Sequence, residues 1–409
     1  MSVGTATTST TRRWSTGALL VGVVAMNLSM VPATTVAVLV ISGWVGDAWG
    51  GIPSAAGVVG TALGALSLST VMRTRGRRAG LVLGYAVAVL GAIVAALAVI
   101  AGTMSLLVGA SLLVAAMVML GLGNASAQLS RYAAADMFPA ERRGFGLSIV
   151  VWGGTVGALV GPSLIAPAAT LAAGVGLPRD TGTFVFAVGT TVAATAVAAT
   201  LPRARAVGEP GRLSWPVLRA ALRTSTVVLA VTAMVTAQLV MVAVMTMTPL
   251  QLHTHGHGLD VVGWVLSAHM AGMFALSPVS GRLTDRWGAR ATIAGGAVVL
   301  VVANVVAFTA PTSHTVGLPV ALFLLGYGWN LCFVGGSSLL SGDLPAPLRL
   351  QLQGGVEAVV WGSSAIGSVA AGPIFAAAGY AKLALLAALL AAVPLALLPT
   401  GRQHEAVPL

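Results

Sequence analysis

Gly281-Arg282-Leu283-Thr284-Asp285-Arg286-Trp287-Gly288-Ala289-Arg290 carries four charges in ten residues and separates two apolar stretches, 261–281 and 290–310. Its composition suits a tight connection between two helix ends. Gly281 and Gly288 are placed to let the backbone turn sharply. Asp285 is placed to face the positive end of a neighbouring helix. Arg282, Arg286 and Arg290 would hold the turn on the cytoplasmic side of a membrane.

The rest of the chain agrees with that setting. Of 409 residues 57% are apolar and only 8% charged, against about a quarter charged in a soluble protein. A crossing helix needs about 20 residues, and uncharged stretches of that length recur throughout. The spans read 16–42, 51–72, 79–101, 104–128, 145–168 and 181–201, then 225–250, 261–281, 290–310, 316–339, 353–376 and 381–399. The expected fold class is an all-α membrane protein of 12 transmembrane helices in two six-helix bundles. Residues 1–201 form the first bundle, 202–223 an Arg- and Pro-containing cytoplasmic linker, and 224–409 the second bundle. The first span is too long for a signal peptide, whose apolar core is about 7–15 residues.

A net charge of +11 could suggest a nucleic-acid partner, but the placement of the basic residues excludes it. With both termini cytoplasmic, 19 of the 21 Lys and Arg fall on the inner side, only Arg179 and Lys382 outside. The charge is therefore a topology signal. The expected setting is the cytoplasmic membrane, with the bilayer as partner, no nucleic acid and a monomeric chain. A single Cys, Cys332, rules out an internal disulfide. His253, His255 and His257 alternate in an outer loop without a carboxylate or Cys among them, so they read as solvated rather than as a metal site. No cofactor and no metal are expected.

The two halves repeat. Asp136 to Arg142 precedes Val151-Trp152-Gly153-Gly154, and Asp343 to Arg349 precedes Val360-Trp361-Gly362-Ser363. The stretches 79–130 and 291–342, each 52 residues without Asp, Glu, Lys or Arg, occupy matching places.

The run from Gly281 to Arg290 resembles the loop signature G-x-L-x-D-R-x-G-x-R of the major facilitator superfamily at every defining position, and the six-plus-six repeat is similar to that superfamily's architecture. The resemblance implies alternating access around a solute site between the bundles near mid-membrane. It assigns a gating role to Gly281, Asp285, Arg286, Gly288 and Arg290, and to Arg73 in a damaged copy of the signature at 69–78. Gly157-x-x-x-Gly161-Pro162 resembles the motif of the superfamily's antiporters and implies export of a drug-like solute against a proton gradient. Import of a sugar, organic acid or nucleoside by symport is the alternative. The cavity-lining helices of the family carry Asn27, Asn124, Gln238 and Asn330 here, with Trp329 beside the last, and these are the candidate solute contacts. Helix-to-helix bonding would explain any one amide as well.

The acid in the first helix and the Arg midway along the fourth that such antiporters carry are missing, with Met117 in the Arg position. Among ten acids only Glu357 falls inside a span, and His269 is the other titratable group at depth, so both are candidates for ion coupling. Glu357 could equally latch onto Arg73 or Arg75. There is no Gly-x-x-x-x-Gly-Lys-Ser/Thr for ATP, and no His-Glu-x-x-His or Gly-x-Ser-x-Gly, so an intramembrane enzyme or a sensor remains a remote alternative.

Overall fold

The computed structural model describes residues 9–46, 49, 51–203, 222–255, 259–309, 316–342 and 346–398. Most of the linker, both termini, His257 and Asp343 lie outside the described residues. The elements are all helical: α1 Ser9–Val45, α2 Ile52–Arg75, α3 Arg77–Gly102, α4 Leu106–Ala135, α5 Arg143–Val160, α6 Ile165–Gly174 and α7 Thr181–Ala199. After the linker come α8 Ser225–Thr254, α9 Leu259–Phe274, α10 Ser277–Trp287, α11 Ala289–Thr309, α12 Gly317–Leu340, α13 Ala346–Ala391 and α14 Val393–Leu397. Among the described residues nine helices are long and apolar enough to cross a membrane. Two further expected spans are interrupted and two run together. Pro162 opens a short 3-10 turn between α5 and α6, residues 275–276 separate α9 from α10, and the spans 353–376 and 381–399 are joined in α13, which kinks between them at Gly379 (φ 76°). His253 closes α8 rather than standing in a loop.

The repeat seen in the sequence is a repeat of packing. In the first half α4 lies between α2 and α3, and in the second α12 lies between α9 and α11. Small residues permit this closeness. A Cβ on Gly121 would run into the Gly57 backbone of α2, and one on Gly326 into the His269 backbone of α9. Two residues on, Gly123 meets α3 at Gly84 and Ala88, and Gly328 meets α11 at Gly296 and Leu300.

The signature run differs from its reading as a loop. Through Trp287 it is helix, and only Gly288 turns, at φ 84°; Gly76 does the same between α2 and α3 at φ 89°. Gly281 makes no turn. It sits in α10, where an added Cβ would crowd Ser148 and stand 2.6 Å from the Gly144 carbonyl of α5. It allows two helices of opposite halves to touch.

Candidate functional site

Between the halves lies a cavity of about 370 Å³, lined by α1, α2, α4 and α5 on one side and α8, α9, α12 and α13 on the other. Such a volume suits a small organic molecule. Its wall is mostly apolar, with Met30, Met241, Met245 and Met273 among the lining side chains. One side is aromatic. Trp329 stacks on Phe333 with ring centroids 4.0 Å apart and 28° between planes, and Phe274 meets Trp329 edge-on at 6.2 Å.

Four of the five expected solute contacts line this space: Asn27, Asn124, Gln238 and Trp329. Asn27 donates to the Val23 carbonyl of its own helix at 3.0 Å, and Asn124 donates to Thr61 Oγ1 at 3.4 Å. Gln238 is held more firmly. Its Oε1 accepts the Trp329 indole N–H at 2.8 Å and its Nε2 donates to Ser364 Oγ at 2.7 Å. Asn330 is a correction. It is fully buried, does not line the cavity, and its Nδ2 donates to the Met273 carbonyl of α9 at 2.7 Å. One residue past Trp329 turns a helical side chain by about 100°, which carries Asn330 off the cavity face and onto α9. His269 is likewise fully buried outside the cavity lining, with Nδ1 2.9 Å from the Leu322 carbonyl and no hydrogen-bond partner at Nε2.

The floor of the cavity holds a charge pair that a reading by spans misses. Arg131, placed by its sequence position at the inner end of the fourth span, is inside α4, 4% exposed, and lines the cavity. Its Nη2 bonds Glu357 Oε1, and its Nε donates to Ser337 Oγ at 3.0 Å. Tyr132 donates to the same Glu357 oxygen at 2.9 Å. The ion partner of Glu357 is therefore Arg131 of α4, not Arg73 or Arg75. Arg73 lies buried in the last turn of α2. The sequence does hold a signal for Arg131: Asn124, Gln128 and Arg131 stand at i, i+4 and i+7 on one face of α4, and all three line the cavity. Two buried charges tolerate such a site only as a pair, and Glu357 Oε2 is left without a hydrogen-bond partner.

Beyond the cavity, the Arg-rich end is closed by contacts between halves. Asp285 accepts the backbone N–H of Gly144 at 2.8 Å and of Phe145 at 2.9 Å, both free donors in the first turn of α5. Partial burial pushes its carboxyl above the usual range, against the pull of those two bonds and of Arg142. Asp136 pairs with Arg77 at the start of α3 and, at 3.3 Å, with Arg349 at the start of α13. Arg290 reaches Thr226 of α8 at 3.3 Å, and Arg286 stands exposed at the end of α10. The small residues of 157–162 serve packing: a Cβ on Gly157 would strike Asn27, and one on Gly161 would approach Pro32 of α1 at 3.2 Å. Among the described residues no cluster of three metal-ligating side chains occurs.

A cavity between two repeated helical halves, tied at one end, is the arrangement of a secondary transporter. Residues 252–408 match the family model of the Major Facilitator Superfamily. The MFS-type transporter YdeG of Bacillus subtilis (strain 168) is 32% identical over 371 residues, covering 87% of this chain and 84% of that protein. The riboflavin transporter RfnT of Brucella anthropi is 28% identical over 374 residues, 85% of this chain and 86% of that one. Among solved structures, the human organic anion transporter MFSD10 superposes with a TM-score of 0.75 at 15% identity, covering 95% and 99% of the two chains. The proton:xylose symporter XylE superposes with 0.75 at 14%, covering 96% of each. The chain belongs to the major facilitator superfamily. It is a transport protein, not an enzyme, that moves a small solute by secondary active alternating access in a bilayer.

Proposed function

We propose that this protein takes up a small, largely uncharged aromatic solute together with a proton across the cytoplasmic membrane. The carrying observation is the pairing of an aromatic and amide cavity with a separate carboxylate beneath it. Trp329, Phe333 and Phe274 offer ring faces, while Asn27, Asn124 and Gln238 offer hydrogen bonds to an edge. Among the described residues the one cation of the lining is Arg131, and its charge is already answered by Glu357, which suits a neutral ligand. The resemblance to a riboflavin transporter makes a flavin the first solute to try.

Symport is favoured because Glu357 does not line the cavity, so solute and proton can be bound together. Glu357 is the proton carrier in this reading, and His269, held against a helix carbonyl, is structural. The twelve crossings arise by joining α5 with α6 and α9 with α10, and by dividing α13 at Gly379, which gives bundles 1–201 and 224–409. The Arg-rich end and the 202–223 linker then face the cytoplasm, and the Asp285 and Asp136 contacts are the cytoplasmic gate. Export remains the second reading, on the strength of Gly157-x-x-x-Gly161-Pro162 alone. Flavin accumulation by cells with and without the protein, with and without a protonophore, tests the proposal. Protonophore-sensitive accumulation supports uptake, and protonophore-sensitive depletion supports export.

A further inference from the structure

Glu357 is screened from the solute cavity by side chains that line it, and two of these, Arg131 and Phe333, touch each other. Arg131 and Phe333 both line the cavity, whereas Glu357 is fully buried and does not. The guanidinium carbon of Arg131 lies 5.2 Å from the centre of the Phe333 ring and 4.9 Å from that of Tyr132. Phe333 also stacks on Trp329. A continuous path therefore runs from Trp329 to Phe333, to Arg131, to Glu357.

We propose that Phe333 and Arg131 form a relay tying occupancy of the solute cavity to protonation of Glu357, with Phe333 the positioning residue. The inference rests on Glu357 as proton carrier, as argued above. Its physics is that of a buried pair. The Glu357 anion is tolerated because Arg131 is beside it, and removing the partner of a buried charge is strongly unfavourable. Oε1 is occupied by Arg131 and Tyr132, while Oε2 accepts no well-formed hydrogen bond and is the oxygen left to take a proton. Arg131 and Tyr132 are the titratable groups that bear on it, with the Trp361 indole one turn along its own helix.

A planar solute seated on Trp329 and Phe333 competes for the ring that Arg131 also faces. As Phe333 turns to the solute, Arg131 loses that ring contact and shifts, its hold on Glu357 weakens, and a proton taken up from the aqueous phase at Oε2 neutralises the carboxylate. Because Arg131 and Tyr132 belong to one half and Ser337 and Glu357 to the other, the same event removes the charge tie between halves. Linkage makes the relay reciprocal: a proton on Glu357 raises affinity for solute by the same factor.

The test uses the purified full chain in nanodiscs with riboflavin as probe, its dissociation constant followed by flavin fluorescence from pH 5 to 9. The wild type should bind tighter as pH falls, by about tenfold per pH unit where one proton is coupled. Glu357→Gln and Phe333→Leu should each bind with a flat profile, and Phe333→Tyr should restore the slope. A wild-type slope in Phe333→Leu with a flat Glu357→Gln overturns the relay alone. A slope that persists in Glu357→Gln overturns the carrier assignment and the relay with it. If riboflavin does not bind the wild type, Trp329 emission against pH, in a background whose other eight Trp are replaced by Phe, tests the relay without solute. The relay requires a transition that both Glu357→Gln and Phe333→Leu remove, and a transition surviving in Phe333→Leu overturns it.

Discussion

Substituting Gly281 by Ala adds one carbon where α10 meets α5. That carbon would stand 2.6 Å from the Gly144 carbonyl, against 3.4 Å or more in an ordinary contact, a shortfall of about 0.8 Å. The Ser148 hydroxyl also in the way can rotate, but the Gly144 carbonyl is backbone inside a helix and cannot. The two helices must part. Overpacking of this kind costs about 1–3 kcal/mol, and here it applies only while the Arg-rich end is closed, because α5 and α10 belong to different halves. The equilibrium should therefore move about 5–150-fold towards the state open at that end. Spin labels at Glu141 and Trp287, both exposed on the two sides of the contact, should report a short distance in the wild type and a longer one in Gly281→Ala. Gly295→Ala, where a Cβ meets nothing within 4 Å, is the matched control and should leave the distance unchanged. An unaltered distance distribution in Gly281→Ala would mean that this glycine is not there for closure.

Asp285 should give closure a pH dependence. Its carboxyl is raised above the ordinary range in the closed arrangement, so acid favours closure through this group and the contribution is lost as pH rises through the raised value; Asp285→Ala should flatten the spin-label response, and an unchanged slope would remove Asp285 from the gate. Asn330→Ala should lower the thermal midpoint, by the loss of an interhelical bond of about 0.6–1.7 kcal/mol, while riboflavin affinity stays as in the wild type; a changed affinity would return Asn330 to the site. Gln238→Leu strands the Trp329 N–H and removes the amide donor to Ser364 Oγ, and should weaken riboflavin binding by about tenfold, which a calorimetric titration would measure.

Much of the fold is legible in the sequence because membrane helices announce themselves by length and charge. The expected span 79–101 is helix Arg77–Gly102, and 225–250 is Ser225–Thr254. Asp285 can also be placed from sequence at the start of the fifth span, since a carboxylate in a signature turn seeks free N–H groups. Three kinds of feature are hidden. Gly281 reads as a turn residue because glycine serves both turns and close packing, and only the neighbouring helix distinguishes them. Asn330 is separated from Trp329 by a rotation that the order of residues does not display. Arg131 counts with the cytoplasmic arginines because hydropathy ends a span at the first charge, whereas the helix continues to Ala135. Its partner in the opposite half, 226 residues away, is fixed only by tertiary packing. The Arg73–Glu357 latch fails for the same reason: several arginines could serve an acid in the eleventh span, and the fold selects the one on α4.

Whether solute and proton move together through one cavity between the halves can be asked of the reconstituted protein. Liposomes with an imposed pH gradient, alkaline inside, are given radiolabelled riboflavin in the external buffer. Coupled movement requires accumulation above the external concentration, collapse of that accumulation by a protonophore, and in Glu357→Gln equilibration without accumulation. Accumulation by Glu357→Gln equal to the wild type, or accumulation in the wild type that ignores the pH gradient, would be incompatible with proton symport through Glu357.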